Sequence, residues 1–163
     1  MRFHRAYSFD APCEQVYDLL MDEGFQRERV ARTGTDPRAE VTRGSDADVV
    51  SIVLNLPTDG APGPAKKFLG DSLTVTDDRR WESDAASDGA RRGTVVVRVK
   101  GAPVTMDGTL SLTPGGQGCS LVVEGDLTCS IPLVGRSLEG QIAEVIGGFV
   151  DSEARAVRRR LGA

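Results

Sequence analysis

Few side chains in this 163-residue sequence have the type and spacing that catalysis requires. The only histidine, His4, alternates with Phe3 in the first predicted strand and is therefore expected on the solvent face. It supports neither a histidine-based triad nor a zinc site with histidine ligands. From these residues we predict no catalytic group, no metal and no cofactor, and we leave enzymatic activity open.

Glu153 is the acidic residue best placed to act on a ligand. At 100° per residue it falls within the apolar stripe of the last predicted helix, among Leu138, Ile142 and Phe149. A carboxylate on an apolar face must be desolvated, neutralised or paired. It then either anchors a polar ligand end or serves as an acid or base with a raised pKa. The alternative is that the helix has left the sheet by this turn and Glu153 is hydrated.

Asp77 and Arg79 raise the same question in a strand. They share parity with Val75 and Trp81, so an unbroken strand turns both side chains inward as a buried ion pair. A β-bulge before Trp81, or an early exit of the strand from the sheet, explains the same pattern. Both interpretations remain open from the sequence.

The three cysteines, Cys13, Cys119 and Cys129, have no Cys-x-x-Cys spacing and cannot all pair with one another. With no signal peptide at the N-terminus, they predict free thiols in a reducing compartment and a cytoplasmic protein. Cys119 and Cys129 share one face of a strand, about 33 Å apart if it is straight. They are therefore expected to be inert thiols in the core.

Apolar periodicity predicts the elements that position these residues. No internal repeat or change of composition divides the chain, so residues 1–163 are expected to form one domain. A Pro- and Gly-rich loop at 57–70 is long enough to suggest a lid. The predicted elements are a strand at 2–9, short helices at 12–21 and around 25–30, strands at 38–44, 48–56, 72–82, 94–100, 104–113 and 119–130, and a helix at 137–161.

Composition excludes two classes of partner. The net charge of −4 and the pI of 5.1 lack the basic footprint of a nucleic-acid-binding protein. No stretch approaches the roughly 18 apolar residues of a membrane-spanning helix, so no stable membrane insertion is expected. The oligomeric state is not predicted.

Two short motifs and the order of elements resemble a known superfamily. Phe9-Asp10-Ala11-Pro12 looks like the turn that enters its first helix, and Ile131-Pro132-Leu133-Val134-Gly135 looks like its junction between the last strand and the long helix. The chain resembles the helix-grip fold of the START and birch-pollen-allergen superfamily, which includes polyketide cyclases and aromatases. The junction, Trp81, Gly108-Thr109-Leu110 and the Pro114-Gly115-Gly116 turn are similar to a narrower actinobacterial family of unknown function.

The resemblance implies an α+β fold in which a curved seven-stranded antiparallel sheet surrounds a long C-terminal helix, with two short helices after the first strand. It also implies an apolar cavity between sheet and helix, which Phe68 and Leu69 are placed to cover. The alternative is a solid core. The residues predicted to bind a ligand there are Trp81, Met106, Leu110, Leu121, Leu127, Cys129, Ile142, Ile146, Phe149 and Glu153.

The predicted function is binding or transport of a small hydrophobic molecule that is lipid-like or polyketide-like. One alternative is an enzyme of the cyclase, aromatase or hydrolase kind, in which Glu153, Asp77 or Tyr7 moves protons. A second alternative is a protein-interaction module with a filled core. The scarcity of histidine and of paired inward carboxylates favours the binding protein.

Overall fold

In the part of the chain that the structure describes, the seven strands and three of the four helices follow the predicted order. The remaining helix, a short one at Gly63–Leu69, lies in the segment 57–70 that the sequence predicts as a loop. A computed structural model describes residues 1–60 and 63–162. The elements are β1 (Arg2–Phe9), α1 (Cys13–Leu20), α2 (Glu23–Val30), β2 (Thr35–Thr42), β3 (Ala47–Pro57), α3 (Gly63–Leu69), β4 (Ser72–Glu82), β5 (Arg91–Lys100), β6 (Val104–Gly115), β7 (Gly118–Cys129) and α4 (Gly135–Leu161).

All seven strands join one antiparallel sheet in the order β1-β7-β6-β5-β4-β3-β2. Consecutive strands from β2 to β7 are neighbours, and β1 closes the other edge against β7. The helix α4 has 27 residues and is therefore about 40 Å long. The predicted helix-grip architecture, a curved sheet around a long C-terminal helix, is confirmed.

Two strands begin earlier than local periodicity indicates. β2 begins at Thr35, which pairs with Asn55, and β5 begins at Arg91, which pairs with Leu112. These first residues are polar and show little alternation. The hydrogen-bonded partner strand, rather than the local pattern, sets where each ladder starts.

The two short helices that follow β1 cover one end of the sheet. Val16 and Leu20 form the buried stripe of α1, which packs on β6 and β7. Asp22 begins α2 by accepting a hydrogen bond from the Phe25 backbone N–H at 2.6 Å. This bond satisfies one of the free donors at the helix start, so the turn between the helices is held in place.

The prediction that Cys13 and Cys119 are free thiols is wrong, because they form a disulfide. The two residues are 106 positions apart in sequence. They meet because β1 pairs with β7, where Phe9 lies opposite Cys119, and the chain turns into α1 four residues after Phe9. Cys129 is free and buried, as predicted.

Candidate functional site

A cavity of about 540 Å³ lies between the sheet and α4. Helix α4 packs on β7 and β1, at one edge of the sheet, so the concave face over the more distant strands is left partly uncovered. Most of the side chains that surround the space are aliphatic. From the sheet they include Ile52, Leu54, Leu56, Leu73, Val75, Val95, Val97, Val99, Val104, Met106, Val123 and Leu127, and from α4 they include Leu138, Ile142, Val145, Ile146, Phe149 and Val150.

The structure places half of the predicted ligand-binding residues on the cavity wall. Met106 and Leu127 face each other across β6 and β7, and Ile142, Ile146 and Phe149 line the cavity from α4. Leu69 lies at its edge, while the side chain of Phe68 lies outside the described residues. A role in ligand binding stays a prediction for these positions.

The other five predicted residues, Trp81, Leu110, Leu121, Cys129 and Glu153, do not border the cavity. Trp81 packs edge-to-face on Tyr17 of α1, with ring centroids 5.7 Å apart. Leu110 and Leu121 lie toward the same end of the sheet, where α1 fills the space above them. Strand parity correctly predicts that these side chains point inward, but it does not predict which helix covers them.

Cys129 and Glu153 are separated from the cavity for different reasons. The backbone of Gly135 lies against the carbonyl of Cys129, where a β-carbon would clash, so the start of α4 covers this cysteine. Glu153 is fully buried but engages basic side chains instead of the cavity. The hydrated alternative for Glu153 is therefore wrong.

Glu153 belongs to a buried charge cluster with Arg29, Asp77 and Arg79. The Arg79 Nη1 donates to Glu153 Oε2 at 2.5 Å, and its Nη2 donates to Asp77 Oδ2 at 2.8 Å. β4 pairs with β3 and β5 without a register shift, so Asp77 and Arg79 both point inward and the bulge alternative is wrong. Asp77 and Arg79 border the cavity, and they give its wall a polar end.

Arg29 brings the second positive charge from α2. Its side chain is 1% exposed, and its Nη2 lies 3.3 Å from Glu153 Oε1 and donates to Gln26 Oε1 at 2.9 Å. The guanidinium lies 4.4 Å from the ring centroid of Phe149, which lines the cavity. The Arg29 Nη1 has no hydrogen-bond partner among the described residues.

The pKa values in this cluster follow from the balance of two guanidinium groups and two carboxylates. Burial by itself would raise the pKa of Glu153, but Arg79 and Arg29 outweigh it and lower the pKa from 4.5 to about 2. Burial likewise opposes the charge of Arg79, but Asp77 and Glu153 outweigh it and raise its pKa. Both charged forms therefore persist at neutral pH, and the raised pKa expected for an acid–base Glu153 is not found.

The remaining candidate groups lie apart from the cavity. His4 is exposed, as predicted. The Tyr7 hydroxyl donates to Asp151 Oδ1 at 2.6 Å, and Tyr7 does not border the cavity. In the part of the chain that the structure describes, no group of three or more His, Cys, Asp or Glu residues is arranged to hold a metal ion. None of the helices in that part of the chain combines the length and the hydropathy of a membrane span.

Sequence reasoning missed two parts of the site. Arg29 and Gln26 lie on α2, whose mostly polar sequence has no strong apolar face, so nothing local marked them as buried. The aliphatic side chains of β3 and β5 were recognisable by alternation, as at Ile52, Leu54 and Leu56. The predicted cavity walls included only β4, β6, β7 and α4, although β3 and β5 also turn an apolar face inward.

A sequence-family model and several solved structures match this chain. The family is described as "Protein of unknown function (DUF2505)", and its model matches residues 5–161. No curated protein matches the sequence.

The chain is similar to the crystal structure of TTHA0849 from Thermus thermophilus, with 16% identity and a TM-score of 0.63 over 98% of this chain and 96% of the other. A STAR-related lipid transfer protein from Xanthomonas axonopodis gives 16% identity and a TM-score of 0.61 over 99% and 86%. The Zhui aromatase/cyclase from Streptomyces sp. R1128 gives 16% identity and a TM-score of 0.56 over 98% and 92%. These similarities show that the chain shares the helix-grip fold.

Proposed function

The chain belongs to the DUF2505 family, whose function is unknown, and we propose that it binds a small hydrophobic ligand between the sheet and α4. The observation that carries the proposal is the cavity of about 540 Å³, with aliphatic walls on both layers. Binding sites for small molecules are mainly apolar and occupy about 300–1,000 Å³. The folds shared with an aromatase/cyclase and a lipid transfer protein support a lipid-like or polyketide-like ligand.

The polar end of the wall narrows the ligand class. Asp77 and Arg79 border the cavity and already neutralise one another together with Arg29 and Glu153. A ligand carboxylate or amine would add an uncompensated charge to this buried cluster, at a cost of several kcal/mol. We therefore propose an amphipathic ligand whose polar end is an uncharged hydrogen-bonding group, such as a hydroxyl or a carbonyl.

The enzymatic alternative receives less support from the same geometry. Of the three groups considered for proton transfer, Tyr7 and Glu153 lie outside the cavity wall. Asp77 borders the cavity, but its carboxylate accepts hydrogen bonds from Arg79 Nε and Nη2. To take a proton from a ligand, this carboxylate would have to give up hydrogen bonds to Arg79. The cavity itself does not fit the alternative of an interaction module with a filled core.

Uptake of the fluorescent probe Nile red tests the binding function. We expect saturable binding by the native chain and at least a tenfold loss in Ile142→Glu, because a carboxylate in an apolar wall must remain hydrated or be neutralised. Ile142→Leu keeps the volume and polarity of the wall and is the matched control, with uptake close to native. Normal uptake by a folded Ile142→Glu chain would show that the probe does not occupy this cavity.

Competition against Nile red tests the polar end of the ligand. We expect 1-dodecanol to displace the probe at lower concentration than dodecanoate, because only the carboxylate adds charge next to Asp77 and Arg79. Equal or stronger displacement by dodecanoate would overturn the uncharged head group while leaving binding itself intact. The actinobacterial origin remains a prediction from the sequence. The cytoplasmic location also remains a prediction, but it loses the argument from free thiols, because Cys13 and Cys119 form a disulfide.

A further inference from the structure

In the junction between β7 and α4, residues 130–136, an exposed apolar residue has an unfavourable backbone conformation. We call this segment the junction tip. Leu133 has φ 69°, in the left-handed region, and its side chain is fully exposed at 105%. This conformation is costly for a bulky residue, and such strain is concentrated at functional sites. The Leu133 side chain is not buried within the chain, so no packing offsets this cost. A contact with another molecule would explain why the strained conformation is kept.

Basic side chains surround the same end of the sheet. The Ser130 N–H donates to the Pro103 carbonyl at 2.9 Å, which holds the junction tip against the turn after Lys100. Lys100 pairs with Thr74 near the start of β4, and α3, with Lys67, directly precedes that strand. Arg136 lies in the tip itself.

These cations are available to an external anion. Lys67, Lys100 and Arg136 are exposed, and none has an ion pair within 4 Å among the described residues. The exposed Asp71 supplies an opposing charge at this end. Two further carboxylates there already have partners, Asp59 in Lys66 and Glu139 in the N-terminal ammonium group. Among the described residues at this end, the three unpaired cations therefore outnumber the one unpaired carboxylate, although the whole chain carries −4. The surface therefore favours a negatively charged partner in spite of the acidic composition.

The start of α4 adds to this local excess of positive charge. Val134 occupies the N-cap position without a side-chain acceptor, and the first turn contains no acidic residue. The positive end of the helix dipole is thus combined with Arg136. Glu139, one turn further along α4, is engaged by the Cys129 N–H and by the N-terminal ammonium group.

We propose that the junction tip docks on an anionic lipid bilayer, with Leu133 entering the interface and Lys67, Lys100 and Arg136 contacting phosphate groups. A single exposed apolar side chain among cations suits a bilayer surface, which takes weak apolar insertion together with electrostatic attraction. A protein partner would require a broader apolar surface than Leu133 provides. Ile131 within the tip and Leu138 just after it both border the cavity, so docking brings this end of the cavity close to the lipid.

Vesicle sedimentation tests this surface without any ligand in the cavity. We expect more protein to pellet with phosphatidylcholine vesicles containing 30 mol% phosphatidylglycerol than with phosphatidylcholine alone, and less at high salt. Arg136→Gln should weaken the partition coefficient about fivefold, since one cation near the surface contributes about that much. Arg159→Gln removes an exposed cation from the other end of α4, more than 30 Å away, and should bind like the native chain.

Leu133→Asn separates docking from folding. Asparagine tolerates the left-handed region, so the melting temperature should stay constant or rise by up to about 3 °C. Vesicle binding should nevertheless fall about fivefold, because the apolar anchor is lost. Leu133→Trp keeps an apolar anchor and should bind at least as well as the native chain. Its tryptophan fluorescence should shift to the blue with anionic vesicles. The native Trp81 is buried, so its emission should not change.

Three outcomes would overturn the proposal: equal pelleting with neutral and anionic vesicles, native binding by Leu133→Asn, or equal losses in Arg136→Gln and Arg159→Gln. The first would leave an acidic protein surface as the partner to consider. Docking and ligand binding are distinguishable because Nile red uptake is measured without vesicles. Leu133→Asn should take up the probe normally, and Ile142→Glu should still pellet with anionic vesicles.

Discussion

The two halves of the core share the same strands but differ in what fills them. In the closed half, under α1, Trp81 and Tyr17 meet edge-to-face, and Leu112 and Leu121 pair across β6 and β7. In the cavity half, the same strands present smaller side chains such as Val97, and α4 lies over only one edge of the sheet. Alternation therefore makes a face apolar, while side-chain volume and the covering helix decide whether the space is filled.

The buried charge cluster lies where the two halves meet. Along β4 the inward residues run from Val75 through Asp77 and Arg79 to Trp81, so the charges separate the cavity wall from the aromatic core. Glu153 of α4 and Arg29 of α2 converge on this boundary. The cluster joins α2, β4 and α4 through buried ion pairs, whereas the other ion pair between α2 and α4, Glu28 with Arg160, is exposed. We expect the cluster to fix the position of both helices on the sheet.

The largest predicted effect comes from removing the carboxylate at this boundary. Glu153→Gln leaves Arg79 and Arg29 partly uncompensated in the core and should lower the free energy of unfolding by about 3–5 kcal/mol. Glu28→Gln is the matched control, because Glu28 forms an exposed pair with Arg160 whose loss should cost less than about 1 kcal/mol. Urea denaturation measures both, and equal costs would show that the cluster does not hold the boundary.

The stability difference between the native chain and Glu153→Gln should depend on pH, and the pKa of Glu153 gives the sign. The pKa of Glu153 lies near 2 in the folded chain against 4.5 for the free group, so its stabilising contribution is complete above about pH 4.5. It is lost as the pH falls from 4.5 toward 2. The stability difference between the native chain and Glu153→Gln should therefore shrink over this interval. A constant difference down to pH 2 would contradict the buried ion pair.

A second effect should be confined to the closed half. Replacing both cysteines of the disulfide, as Cys13→Ser with Cys119→Ser, should lower the free energy of unfolding by about 2–4 kcal/mol, because a loop of more than 100 residues is no longer closed in the unfolded chain. A reductant should destabilise the native chain similarly and leave the double variant unchanged. Nile red uptake should persist in both, and its loss would show that the two halves are not independent.

The smallest predicted effect is a difference in stability cost between two leucine variants, one in each half of the core. Leu112 and Leu127 are both fully buried, but only Leu127 borders the cavity. Leu112→Ala should cost about 4 kcal/mol and Leu127→Ala about 2 kcal/mol, since a side chain beside an existing cavity has fewer contacts to lose. The difference of about 2 kcal/mol in denaturation free energy is the quantity to measure. Equal costs would mean that the cavity half is packed as densely as the closed half.

Much of the fold could be predicted because its signals are local. The alternation in β6 and β7 and the apolar stripe of α4 each lie within one continuous segment, and the covered antiparallel sheet follows from them. The inward direction of Asp77 and Arg79 was likewise contained in the parity of β4. The sequence left two interpretations open there because parity cannot exclude a bulge.

The composition of the site depended on contacts that no local pattern records. Glu153 could be placed on the apolar face of α4, but its partners Arg79 and Arg29 are 74 and 124 residues away. The disulfide between Cys13 and Cys119 has no local signal for the same reason, because the two residues meet only through the pairing of β1 with β7. The tertiary structure alone decided these partners, and it alone separated cavity walls from solid core. Periodicity determines which face of an element is buried, whereas the path of the whole chain determines what that face meets.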